Sequence, residues 1–106
     1  MFTHEDSRRL LIEWAVGEFK TAKVVIGKEA GVVGDHHHLN KDEKFLLLSG
    51  NVRHVCIGND HEWNVLAMKA WDVPRGTYHL FELDEGSVLL GVATEEYDPD
   101  DEIPGR

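Results

Sequence analysis

Residues 34–50 read GDHHHLNKDEKFLLLSG: three consecutive histidines, a short polar turn, a glutamate and a solid apolar run. Along an extended strand successive side chains point to opposite faces, so His36 and His38 share one face and His37 takes the other. The LNKD segment at 39–42 reverses the chain, and Glu43 opens the next strand. If Glu43 faces inward with Phe45 and Leu47, two imidazoles and a carboxylate converge across a hairpin. A further histidine, His79, follows a Pro/Gly turn in VPRGTYHLFEL, 73–83. Three neutral imidazoles and a carboxylate form a donor set for one divalent transition ion. The same residues also read as solvated polar groups beside a turn, and spacing alone leaves both readings open.

Working outward, glycines punctuate the chain at intervals, and the runs between them are short and rich in Val, Leu and Ile. This pattern predicts many short strands, near 10–16, 19–26, 32–38, 44–50, 51–57, 63–70, 77–83 and 87–93. The turn chemistry agrees: GND at 58–60, PRG at 74–76 and DEG at 84–86. The segment HEDSRRLLIEWA at 4–15 fits a helical period as well as an alternating one. Eight or more strands in one small domain imply a sandwich or barrel, for which an antiparallel jelly roll is a common solution. The expectation is one all-β domain over 1–106, with its core at about 10–94 and an acidic, solvated tail at 95–106.

Composition sets the limits of function. The 106 residues carry a net charge of −9, of which the last twelve hold six acids and one arginine. Such a balance gives no electrostatic footprint for nucleic acid or for an anionic membrane surface. No apolar run is long enough to span a bilayer, no signal-like segment opens the chain, and a single cysteine, Cys56, precludes an internal disulfide. A cytoplasmic location is expected.

The histidine segment resembles the first cupin motif, in which His-x-His is followed by a spaced Glu and, after six intervening residues, a Gly: here His36, His38, Glu43 and Gly50. The second motif, Pro-x-Gly-x-x-His, is met by Pro74, Gly76 and His79. Departures occur where the family has glycine (Ala30, Met68) and asparagine (Leu83), none of them at a presumed ligand. The resemblance implies a jelly-roll cupin with one divalent transition metal on His36, His38, Glu43 and His79, zinc first, with iron, manganese or nickel as alternatives. It leaves His37 outward and structural. A narrower likeness, over roughly residues 20 to 102, is to the zinc cupin domains of capsular-polysaccharide sugar-nucleotide epimerases and to the ketoisomerases of dTDP-linked 4-keto-6-deoxy sugars.

That likeness implies epimerisation or ketoisomerisation of a nucleotide-linked keto sugar, within polysaccharide biosynthesis. Removing a proton beside a carbonyl builds negative charge on its oxygen, which a Lewis acid stabilises while a base takes the proton. His54 and Tyr78 are candidate bases, with His54 expected to face inward. Lys44, Arg53 and Arg75 are candidate partners for a phosphate. Trp14, Trp63 and Trp71 read first as packing residues. Two rivals share the same metal ligands: a mononuclear iron dioxygenase, and a non-catalytic module that binds a metal or small molecule. A homodimer is expected from the open sheet edges.

Overall fold

The apolar runs between glycine turns are extended throughout the computed structural model, which describes all 106 residues. Eleven strands follow in chain order: β1 (Phe2–Glu5), β2 (Leu10–Glu13), β3 (Thr21–Ile26), β4 (Gly31–His37), β5 (Glu43–Ser49) and β6 (Asn51–Ile57). Then come β7 (Asp60–Leu66), β8 (Ala70–Val73), β9 (His79–Leu83), β10 (Val88–Ala93) and β11 (Ile103–Pro104), with one 3-10 turn at Pro99–Asp101. No α-helix forms, and no helix is long and apolar enough to cross a membrane.

Two antiparallel sheets face each other, ordered β3-β10-β5-β8 and β11-β4-β9-β6-β7. Phe45, Leu47, Val73 and Leu89 from the first interdigitate with Val52, Val55, Val65, Phe81 and Leu83 from the second. Phe45 and Phe81 meet edge to face at 4.9 Å, and Trp71 packs on Phe81 at 5.3 Å. Each such side chain, fully buried, contributes about 1.5–3 kcal/mol of transfer free energy. The architecture is an all-β jelly roll in one domain.

Of the two readings of 4–15 the strand holds: the segment lies in the β1–β2 hairpin, whose pairing runs from Phe2↔Glu13 to Glu5↔Leu10. Two local expectations change. The predicted strand at 63–70 is two strands, because Met68 takes a left-handed turn (φ 76°) and the chain then crosses to the other sheet as β8. Residues 95–100 are exposed as expected, but the segment does not end free in solvent. β11 pairs with β4, Asp101 is buried, and its carboxylate accepts from the main-chain N–H groups of Leu39 (2.9 Å) and Asn40 (3.1 Å). The acidic composition of the segment concealed a cap for the turn after the histidines.

A β-bulge positions the site. Gly34 pairs with Leu80 and His36 with His79, so Asp35, at φ 61°, is an extra residue on β4. The bulge restores the inward face at His36, three residues after the inward Val33. Gly34 is needed there: its φ is +89°, and a Cβ would lie 2.8 Å from the main-chain oxygen of His79.

Candidate metal centre

Three of the four presumed ligands come from the histidine-rich end of the five-stranded sheet. His36 on β4 lies opposite His79, the first residue of β9, and His38 follows β4 directly. One nitrogen from each of the three lies within 4.8 Å of the other two, a cluster that can hold a metal ion. Glu43, first on β5, reaches across from the opposing sheet with its side chain only 1% exposed. Its Oε1 lies 3.3 Å from His38 Nε2 and 3.8 Å from His79 Nε2.

Hydrogen bonding fixes the tautomer of one ring. His38 Nδ1 is 2.7 Å from the main-chain oxygen of Asp101, which can only accept. Nδ1 therefore carries the proton, and neutral His38 presents a lone pair on Nε2 toward a carboxylate oxygen. Two acceptors 3.3 Å apart repel unless a proton or a cation lies between them. Glu43 Oε1 is buried with no hydrogen-bond partner, and so is His79 Nδ1. This donor set fits a divalent ion, as buried polar atoms left without partners are rare.

The electrostatics favour the ligating forms. Burial, only partly opposed by Glu43, drives the His79 pKa down to about 4. Burial and then the neighbouring His38 also lower His36. Burial pushes the Glu43 carboxyl up, but Lys23, Lys41 and His79 together hold it below its usual value. At neutral pH the cluster is thus two unprotonated imidazoles beside an ionised carboxylate, with His38 fixed by its carbonyl.

Lys23 is the residue the sequence reading missed. Its Nζ donates to Glu43 Oε2 at 3.2 Å and sits 5.6 Å from the centre of the Phe45 ring. With His36, His79, Phe45 and Phe81 it lines a cavity of ≈ 60 Å³ inside the barrel. On β3 the exposed face carries Val24 and Ile26, so the usual rule of apolar inward and polar outward points Lys23 the wrong way.

The candidate bases lie elsewhere. His54 does not face inward: Arg53 is an extra residue on β6, since Val52 pairs with Leu83 and His54 with Glu82 on β9. That bulge reverses the parity, and His54 lies on the outer face, stacked on Trp63 at 3.8 Å and hydrogen-bonded to His61 at 2.8 Å. Tyr78 donates to Asp35 Oδ1 at 2.5 Å while the Arg106 guanidinium covers its ring, outside the cavity. His37 bonds through Nδ1 to the main-chain oxygen of Gly105 at 2.8 Å.

The candidate phosphate partners are spread apart. Arg53 pairs with Asp84 at 2.6 Å and Arg75 with Asp42 at 3.1 Å, both side chains more than half exposed. Lys44 lies over Phe19, in a shallow pocket with Asp42, Glu43 and Asp72. Trp71 is partly buried and packs against the core, in keeping with a packing role.

Solved structures share this architecture. The TDP-quinovose 3,4-ketoisomerase WlaRB of Campylobacter jejuni superposes with a TM-score of 0.81 at 18% identity, over 97% of this chain and 87% of that one. QdtA, a sugar 3,4-ketoisomerase from Thermoanaerobacterium thermosaccharolyticum solved with TDP, gives 0.76 at 19% identity, over 95% and 81%. The capsular polysaccharide assembling protein CapF of Staphylococcus aureus gives 0.71 at 24% identity, over 99% of this chain but 32% of its own. The chain has the cupin fold. It therefore spans about a third of CapF and most of each ketoisomerase. No protein-family profile matches the sequence, and no curated protein matches it.

Proposed function

We propose that this cupin binds one divalent transition metal through His36, His38, Glu43 and His79 and acts on a keto sugar linked to a nucleoside diphosphate, by epimerisation or ketoisomerisation. The observation that carries the metal is the unpartnered Oε1 of buried Glu43 facing the Nε2 lone pair of His38. The substrate class is supported by the full-length likeness to sugar 3,4-ketoisomerases, one of them holding TDP. Zinc is the first choice on donor type, ahead of iron, manganese and nickel.

When bound, the ion supplies a Lewis acid for the substrate carbonyl oxygen. The chain supplies the rest. The Asp101 carbonyl holds His38 in one tautomer and one orientation. Phe45 and Phe81 line the ≈ 60 Å³ cavity and exclude bulk water from its floor. Lys23 sets a positive charge at the mouth, where an oxyanion or a phosphate oxygen would arrive. That cavity admits only the reacting edge of a sugar ring, so the remainder of the substrate occupies the mouth. His54 and Tyr78 are not assigned as bases.

Proton nuclear magnetic resonance in D2O tests this reading. A thymidine or uridine diphosphate 4-keto sugar incubated with metal-loaded protein should exchange the proton beside its carbonyl, and exchange should survive His54→Ala. Absence of exchange and of product with every such sugar would overturn it. We also propose a homodimer, on the grounds that the β1–β2 hairpin leaves Phe2, Leu10 and Leu11 exposed.

A further inference from the structure

A pocket of ≈ 220 Å³ lies over the mouth end of β3 and β10, where Lys23 and Lys41 meet Gly91, Ala93 and Tyr97. Lys23 lines both this pocket and the inner cavity beside His36 and His79, so the two spaces adjoin at its side chain. Lys41 is unusual. It sits in the turn between His38 and Glu43, is only 6% exposed, and its ammonium makes no hydrogen bond or ion pair within the protein. Its stem is buried while the ammonium keeps contact with solvent, as amphipathic lysines do. Glu43 feels its charge but makes no ion pair with it; Lys23 holds Glu43 Oε2. Glu95 also lines the pocket, but Lys20 holds its carboxylate at 2.9 Å. The architecture accommodates the Lys23 stem: a Cβ on Gly91 would lie 3.2 Å from Lys23 Cε and 2.9 Å from Phe45.

We propose that Lys41 and Lys23 form a subsite for a phosphoryl group, which seats a phosphorylated ligand with its remaining part directed into the cavity beside the histidines. Two lysines line one concave space in a chain of net charge −9. Lysine serves as a point charge for phosphate without demanding the two-pronged geometry that arginine requires. Arg53 and Arg75 are neutralised by Asp84 and Asp42, and Lys23 is paired with Glu43, which leaves Lys41 as the lysine of this pocket without an ion pair. Identifying the phosphoryl group as part of a nucleotide rests on the function proposed above; the subsite itself does not.

Calorimetric titration with inorganic phosphate, thymidine diphosphate and thymidine, at low salt, separates the two ideas. Lys41→Met and Lys23→Met should each weaken phosphate and thymidine diphosphate by tenfold or more, with Lys41→Arg retaining most affinity and Lys28→Met all of it. Zinc affinity, measured on the same variants, should hold or rise, because a positive charge has left the neighbourhood of Glu43. A lysine that merely held the turn together would lower both affinities. Thymidine diphosphate binding no tighter than inorganic phosphate, with both dependent on Lys41, would keep the subsite and sink the nucleotide reading. Nucleotide binding indifferent to both lysines would sink the subsite and keep the nucleotide. No binding of either phosphate compound, or loss of zinc and phosphate together, overturns the subsite.

Discussion

His38 donates its Nδ1 proton to the main-chain carbonyl of Asp101, 63 residues away, while the Asp101 carboxylate caps the two amides that follow His38. One residue thus holds both the ring and the turn behind it. Asp101→Ala keeps the carbonyl but strips the caps from Leu39 and Asn40. We expect a loss of about 1–3 kcal/mol in chemical denaturation and a fall in zinc affinity of about 10–100-fold, as for other residues that orient a ligand. Unchanged zinc affinity in a destabilised variant would show that the cap serves stability alone.

The ligand set is tested one residue at a time. His36→Ala, His38→Ala, Glu43→Ala and His79→Ala should each lower metal affinity sharply in equilibrium dialysis. His37→Ala loses only its contact with Gly105, so affinity should stay within a few-fold while stability drops by about 0.5–1.5 kcal/mol. Should His37→Ala alone abolish binding, the site is misassigned.

The bulge that turns His36 inward is fastened by a titratable pair. The hydrogen bond from Tyr78 to Asp35, reinforced by burial and the Asp35 charge, pushes the phenol up to about 12. The folded state therefore favours the neutral phenol. That contribution is complete below the ordinary value of 10.0 and is lost as pH rises from there through about 12. An ultraviolet titration should show one of the two tyrosines ionising late. Asp35→Asn should bring it back toward 10.0 and, by loosening the bulge, weaken zinc binding. A midpoint that Asp35→Asn leaves unmoved would refute the pairing.

The β1–β2 hairpin pairs only with itself among the sheets, yet presents Phe2 and Leu10, each more than half exposed. Light scattering should give about twice the 12.0 kDa chain mass for the full chain and a single chain mass once residues 1–16 are removed. A full chain that stays at 12.0 kDa when concentrated would rule the dimer out.

What the sequence discloses here is governed by parity. Strand alternation carries Phe45 and Leu47 to the core correctly, because β5 keeps its register through them. It places His54 on the wrong face because one extra residue, Arg53, inverts everything after it, and no residue type marks that bulge in advance. Asp35 is a bulge as well, but Gly34 before it leaves a trace. Lys23 was hidden because β3 lies at a sheet edge with valine and isoleucine on its outer face. Asp101 was hidden among five other acids that do remain exposed or half-buried, since composition cannot say which carboxylate finds two amides.

The residues of the centre are far apart along the chain. His36 pairs with His79 across 43 positions, Lys23 with Glu43 across 20, and His38 with Asp101 across 63. Each of these encounters closes a long loop, and contacts of that kind dominate slow β-rich folding. The four donors are therefore separate until both sheets have docked, and the ion meets a finished cage rather than a template. In kinetic terms, metal belongs to the exit barrier: zinc in a stopped-flow experiment should leave the refolding rate unchanged and slow unfolding by nearly the whole of the stability it adds. A refolding rate that rises with zinc would mean that part of the cage assembles early.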